Sequence, residues 1–590
     1  MIKGMIVVND FSMLMLKKLT AFVLALLNVF GCIFGTDKIT EKEVTVNGSL
    51  VCTDDLGRSV VSAGESEKLV GVFYFLWQGQ HGKDYLYDNT RIVASNPDAI
   101  KSEEEWMASG GGNVGEFHFW SEPLFGYYTS DDEWVLRKHV QMLTDASVDF
   151  IVIDTTNAFT YSQSAKKLIG IWYEYLLEGW NVPKIAFYTN SYSGDTVNRI
   201  YDEIYNDPLL KAEYSRLDEL WFNMNGKPMI VGDKDDPAMR EDVKNYFRIK
   251  ANQWPTEEKV KDGFPWMEFG RSLTLQAVYN SDGTRIMNVS LAQHSDTCAF
   301  SNAAWYGSDD RTRSWHDGAN DTGEGAVLQG YNFAEQWEFA IRMNPDIVFV
   351  TGFNEWVAQR QPAQEGRPVV FVDCANENAS RDFEPSAGIL GDNYYMQLVN
   401  YIARFKKTTA RVGRGNGAAI DIDGGFEQWE NPAITAVYKD YRNDTAPRNC
   451  EGFGSIVYTD YSGRNDIVNM KVTEDENNCY FYVDTAEKLS SCDGGAWMTL
   501  FINESIVINR KAPENGITSV EKINGNGFEK IGEAQIRYSG NKLMLQVPKN
   551  LVSCNEGMQF KWADNYSEGD VYSFYTKGDA APFGRLNYSY

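Results

Sequence analysis

The 590-residue sequence predicts an α/β chain, a (β/α)8 TIM barrel followed by a C-terminal β-sandwich. Three observations lead there. Between Lys68 and Lys407, short β-branched and aromatic runs alternate with longer helical patterns, as in parallel β/α units. A Gly-rich break, RVGRGNGAAIDIDGG, then interrupts the alternation. Beyond it, residues 426–590 carry alternating strand patterns and few helical ones.

The chain opens with Lys17 and Lys18, followed by an apolar stretch from Leu19 to Gly35 broken by Asn28. Secretory apolar regions run about 7–15 residues and membrane spans need about 20. Residues 1–35 are therefore expected to be an export signal, placing the protein outside a bacterial cell or on its surface. An uncleaved anchor is the alternative, and Cys32 after Val29-Phe30-Gly31 weakly resembles a lipoprotein site. Membrane attachment is expected through this segment only. Residues 36–67 read as a linker with one strand from Glu43 to Cys52.

The barrel is expected over 68–410. Its strand candidates are Leu69–Trp77, Val148–Asp154, Lys184–Asn190, Lys227–Asp233, Ser272–Tyr279, Met287–His294 and Asp346–Trp356. Helices are expected at Glu133–Ala146, Ser164–Leu177 and Ala334–Met343. A linker over 411–425 leads to the sandwich, 426–590, which is expected to fold alone. Its strands are VNMKVTED, CYFYVDTA, AWMTLFIN, LMLQVP, MQFKWAD and VYSFYT. The units fit a barrel better than a doubly wound sheet. No GxGxxG follows a strand and no phosphate-binding GxxxxGK[ST] is present, which weakens a nucleotide-binding reading.

Asp and Glu number 82 against 55 Lys and Arg, a net charge of −27. That balance argues against nucleic acid, polyanions and anionic lipid as partners. Aromatic residues make up 14% of the chain, which suits stacking against sugar rings and makes carbohydrate the expected substrate. The five His show no HxH or HExxH spacing and the eight Cys show no zinc pattern, so no metal or cofactor is expected. Four Cys fall after residue 440, where one or two disulfides compete with scattered thiols. No GxSxG elbow supports Ser-His-Asp chemistry.

In a β/α barrel the reactive groups stand at the C-terminal ends of the strands. Glu355 is the foremost candidate. It lies at the exit of the apolar run IVFV between Asn354, which can orient it, and Trp356, which can desolvate it. The competing reading is a structural ion pair with Arg360 or Arg342. Asp154 ends the VDFIVID run and reads equally as a base, a hydroxyl ligand or a cap. Glu384, with Asp382 in SRDFEP, is a further carboxylate, weighed against a salt bridge to Arg381. Substrate contacts are expected from Trp77, His81, Tyr188, Asn190, His294, Asn354 and Trp356. In GEFHFWSEPLFGYY, alternation places Glu116, His118 and Trp120 on one face and Phe117 and Phe119 on the other, as in a substrate-lining ribbon. His139 lies mid-helix and reads as structural.

GVFYFLWQGQHG, VDFIVIDTTNA and VTGFNEW resemble the barrels of glycoside hydrolase family 99 and the neighbouring family 71. The resemblance covers about residues 68–407, and NEW is its most specific motif. Family 99 comprises endo-acting α-mannan hydrolases and family 71 α-1,3-glucanases. The resemblance implies that Glu355 acts on the substrate 2-hydroxyl as a base. The family's second Glu, the acid three residues later, is replaced by Ala358, so Asp154, Glu384 or Glu122 would have to supply the proton. YKDYRNDT, YSGRNDI, FKWADN and GDVYSFYTKGDAAPFGRLNY resemble family 9 carbohydrate-binding modules, in which Trp497 and Trp562 would be core or platform residues. Alternation in FKW favours the core for Trp562.

Two readings follow. One is an exported hydrolase of an α-linked polysaccharide or glycoconjugate glycan working by carboxylate acid/base catalysis. The other is a catalytically inactive glycan-binding surface protein.

Overall fold

The computed structural model describes residues 45, 47–255, 257–268, 283–293, 303–306, 310–364, 366–372, 374–415, 417–492, 495–525 and 527–590. The expected export signal, the strand candidate Ser272–Tyr279 and His294 lie outside the described residues. No helix among the described residues is long and apolar enough to cross a membrane.

Eight parallel strands follow one another along the chain: β1 (Leu69–Tyr74), β2 (Phe150–Thr155), β3 (Lys184–Thr189), β4 (Lys227–Val231), β5 (Arg248–Gln253), β6 (Gly263–Pro265), β7 (Ile286–Ser290) and β8 (Ile347–Thr351). They hydrogen-bond in the order β6-β5-β4-β3-β2-β1-β8-β7, forming a nearly closed barrel. At the seam between β6 and β7, Asn288 donates to the Trp266 carbonyl at 2.8 Å, and Thr351 of β8 donates to the same oxygen. Every residue of β2 is buried because both faces of a barrel strand are covered. Phe150, Val152, Ala186, Met229, Val231 and Phe349 form the inner cluster, while Ile151, Ile153, Val348 and Val350 join the outer core. Gly71 of β1 leaves room for Phe150, whose ring carbons would lie 2.2 Å from a Cβ there.

Two barrel strands escape the sequence reading. β5 is RIKANQ, whose Lys250 is buried and pairs with Asp262 at 2.9 Å, and β6 is only three residues long. The helices α1 (Glu133–Asp145), α2 (Ser162–Glu178) and α3 (Tyr331–Met343) match their expected positions, with longer starts for the last two. Asp132 caps α1, accepting from the Val135 N–H. A fourth helix, α4 (Asn393–Lys406), follows.

Among the described residues, the C-terminal part holds a continuous antiparallel sheet of eleven strands, folded back on itself, and a separate pair of strands, Arg448–Glu451 and Val457–Asp460. Strand Ala436–Lys439 at one end brings Tyr438 to 4.9 Å from Phe560 of strand Gln559–Asp564 near the other. Five of the six strand candidates are strands. VYSFYT is not, since Ser573–Thr576 forms a helical turn instead. Trp497 and Trp562 are both fully buried, so neither is a platform here. The described Cys52, Cys374, Cys450, Cys479, Cys492 and Cys554 are thiols.

Buried polar contacts join the sheet to the barrel. Arg448 pairs with Asp132 at 2.7 Å and Arg585 with Asp392 at 2.8 Å, while Tyr441 stacks on Trp180 at 3.9 Å. Strand Val51–Thr53, inside the expected linker, also joins this region through Val51 N–H and the Asn587 carbonyl at 2.9 Å.

Candidate active site

The exit of β8 is fixed on both sides of Glu355. Asn354 extends the β8–β1 pairing past the strand ends, accepting from Phe75 N–H at 2.9 Å and donating to Phe75 O at 3.0 Å. The next residue but one, Trp356, stacks on Trp120 at 4.4 Å and 15°, and the Trp120 indole N–H donates to the Glu355 carbonyl at 3.1 Å. Asn354, Trp356 and Trp120 are thus buried clamps on the backbone, not surfaces offered to a substrate in this structure.

Among the described residues, Asp382, Arg381 and Cys374 hold Glu355. Its N–H donates to Asp382 Oδ1 at 2.5 Å, and Arg381 Nη2 lies 3.0 Å from its Oε2. The Cys374 thiol stands 3.6 Å from Glu355 Oε2 and 3.7 Å from Asp382 Oδ2, bridging the two carboxyl groups. The Glu355 side chain keeps 7% of its surface exposed while that of Arg381 keeps none, so the carboxylate is the outer member of the pair. The arginine partner is therefore Arg381 and not Arg360 or Arg342. Arg360 pairs with Glu103, and Arg342 lies over Phe339. A Cβ at Gly352 would meet Asp382 Oδ1 at 3.1 Å and Phe75 at 3.2 Å, a close approach that glycine permits. Burial pushes the Asp382 carboxyl up to about 6 against the opposing effects of the Glu355 N–H, Arg313 and Arg381.

Glu384 sits deeper. Its side chain has no exposed surface, and its oxygens receive Tyr128 O–H at 2.7 Å, the Trp356 indole N–H and His139 Nε2 at 3.1 Å. His139 Nδ1 in turn meets Tyr74 O–H at 2.8 Å. This network joins β1, α1 and the β8 exit. Glu384 is placed to position Trp356, and reaches no solvent itself.

Across the barrel end, an aromatic rim forms. Trp77 is half-buried, edge-on to His81 at 5.8 Å and to Phe117 at 5.6 Å. His81 stacks on Phe117 at 5.4 Å and meets the exposed Phe159 edge-on at 5.0 Å. His81 Nε2 bonds Tyr161 O–H at 2.8 Å, and burial holds its imidazole below the usual range, hence neutral near pH 7. Asp154 lies at the end of β2, and its Oδ1 accepts from Thr156 N–H at 3.0 Å. Burial, with the charge of Asp154, raises the Tyr161 hydroxyl well above the phenol range.

The remaining expected contacts divide. Tyr188 ties β3 to its neighbours by donating to Phe264 O at 2.9 Å and accepting from Gln253 N–H at 3.1 Å, and it is buried. Asn190 Oδ1 accepts from Asn252 at 2.6 Å and from the Trp254 indole at 3.1 Å. His118 is buried away from the rim, accepting from Gly112 N–H at 2.9 Å, and burial drives it down to about 3. Glu116 closes a local turn onto Asn113 N–H at 2.5 Å. The alternation in this ribbon holds, but Phe117 is the residue that reaches the rim. Phe117, Phe159, Tyr161 and Cys374 join the site without having been expected there, and Arg381, weighed against the SRDFEP carboxylates, also pairs with Glu355. The polar TTN after Asp154 was the signal for the loop that carries Phe159 and Tyr161.

No family model matches the chain, and no curated protein matches it. Two solved structures of the GH99 endo-alpha-mannosidase from Bacteroides thetaiotaomicron are similar. One, in complex with BIS-TRIS-propane, shares 14% identity at a TM-score of 0.36 and covers 58% of this chain and 99% of that one. The other shares 14% identity at 0.35 and covers 57% and 98%. The barrel assignment rests on the strand order, and these likenesses assign no residue a role.

Proposed function

We propose that the chain is an exported glycoside hydrolase acting on an α-linked polysaccharide or glycoconjugate glycan, with Glu355 as its reactive carboxylate. The observation that carries this reading is the Glu355 carboxylate at the β8 exit. It is oriented by Arg381 from beneath, retains an exposed edge, and belongs to the same barrel end as the rim of Trp77, His81, Phe117 and Phe159. Aromatic faces suit sugar rings, and an ion-paired carboxylate suits a base or nucleophile. Asp154 at the β2 exit is the candidate proton donor, and Asp382, as buried as Glu384, holds the Glu355 backbone N–H. Glu384 supports them as a positioning group.

One observation favours the second reading, a barrel that binds glycans without cleaving them. Ala358 stands buried opposite His118 where the family pattern carries its acid. A panel of α-linked glycans, assayed for new reducing ends and by calorimetry, separates the two. Release of reducing ends that is lost in Glu355→Gln supports hydrolysis, whereas binding without release supports the binding protein.

A further inference from the structure

We propose that Asp440, Asp444 and Asp579, packed against Gln141 of α1, form a buried site for a hard divalent cation of the calcium type, which clamps the C-terminal sheet to the barrel.

A ligand oxygen from each of the three aspartates lies within 4.8 Å of the others, the spacing one cation can bridge. All three residues are at most 4% exposed. Each also has one carboxylate oxygen without a hydrogen-bond donor: Asp440 Oδ2, Asp444 Oδ1 and Asp579 Oδ1. Buried acceptors normally find donors, and three orphans in one cluster point to a missing positive partner.

Gln141 also meets the cluster. It belongs to the barrel, is fully buried, and its side-chain amide reaches Asp444. Its Oε1 has no donor either. The barrel thus meets the cluster through this amide, whose Nε2 also donates to the Tyr175 hydroxyl at 3.4 Å.

The surrounding charge points the same way. Asp145 of α1 and Asp466 flank the cluster, and each carries an unbonded buried oxygen, Oδ2 and Oδ1 respectively. Their other oxygens are satisfied by Tyr441 O–H at 3.0 Å and by Asn443 N–H at 3.0 Å. Five carboxylates therefore face two ammonium groups, Lys138 and Lys561. Lys138 Nζ donates to the Asp444 carbonyl at 2.9 Å and stays 4.0 Å from its carboxylate, while Lys561 Nζ donates to the Pro582 carbonyl. Arg137 is engaged by Glu133 and Glu174, and Arg442 acts on Asp466 from the edge. Uncompensated buried charge is strongly unfavourable. An all-oxygen donor set selects calcium or magnesium over zinc or copper, and a carboxylate-rich set suits calcium's larger shell.

The test uses the full-length protein, stripped with EGTA at pH 7.5 and titrated with CaCl2, with MgCl2 in parallel. Expected are one Ca2+ bound per chain and a rise in Tm of about 3 °C or more. Both are lost in Asp444→Asn and Asp579→Asn. If those variants do not fold, Asp466→Asn at the margin is expected to fold and to weaken Ca2+ binding several-fold. The inference is overturned if the stripped protein binds neither ion and its Tm is the same with and without them, with Tm rising on acidification alone. Protons would then neutralise the cluster. The measurement is independent of any hydrolytic activity.

Discussion

Arg381 Nη2 lies 3.0 Å from Glu355 Oε2, with the arginine side chain sealed inside and the glutamate at its outer edge. A buried guanidinium that holds a carboxylate orients it, and it also makes the site sensitive to either partner.

Removing Arg381 takes a buried counter-charge away from Glu355. Breaking a buried pair from one side costs about 3–5 kcal/mol, less here because Glu355 keeps an exposed edge. Arg381→Met is expected to lower the denaturation midpoint clearly and to abolish turnover. An unchanged midpoint in urea would show that the pair is not the anchor of the β8 exit.

Glu384→Ala strands three donors, Tyr128, His139 and the Trp356 indole. Each orphaned buried group costs about 1–3 kcal/mol. The expected outcome is a large loss of stability, read by chemical denaturation. Retained stability with selective loss of kcat would instead make Glu384 a reacting group.

His118 imposes a pH dependence. Its folded value is lowered from 6.5 to about 3 by burial, so between those limits the unfolded chain binds a proton that the folded chain refuses. The stability is fully present above pH 6.5 and is lost as pH falls toward 3. The slope is about 1.4 kcal/mol per pH unit for one group. His118→Gln is expected to flatten this limb in pH-resolved denaturation, and an unaltered slope would refute the assignment.

The segment 426–590 is expected, on its sequence, to fold alone, but the contacts seen predict otherwise. Without the barrel, Arg448 loses Asp132, Arg585 loses Asp392, and Tyr441 loses Trp180 and Asp145. Expressed by itself, it is expected to aggregate or to unfold without cooperativity. A soluble monomer with a sharp thermal transition would contradict this.

The barrel was legible where both strand faces are apolar. FIVIDT announces itself because every side chain is buried. RIKANQ does not, because Lys250 becomes a core residue only through Asp262, twelve positions away. The ribbon's alternation could be read, yet period two says nothing about which face turns inward, so Phe117 and His118 exchanged roles. Glu355 stood out as a strand-exit carboxylate. Its partners Arg381, Cys374 and Asp382 lie 19 or more positions further along and meet it only in the fold.

The most direct test is the turnover of Glu355→Gln against the unaltered protein on whichever α-glycan of the panel is cleaved, with circular dichroism confirming the fold. A folded variant slowed by about 1,000-fold or more is the predicted result. A folded variant that hydrolyses the glycan at the original rate would contradict the assignment of Glu355 and with it the proposed chemistry.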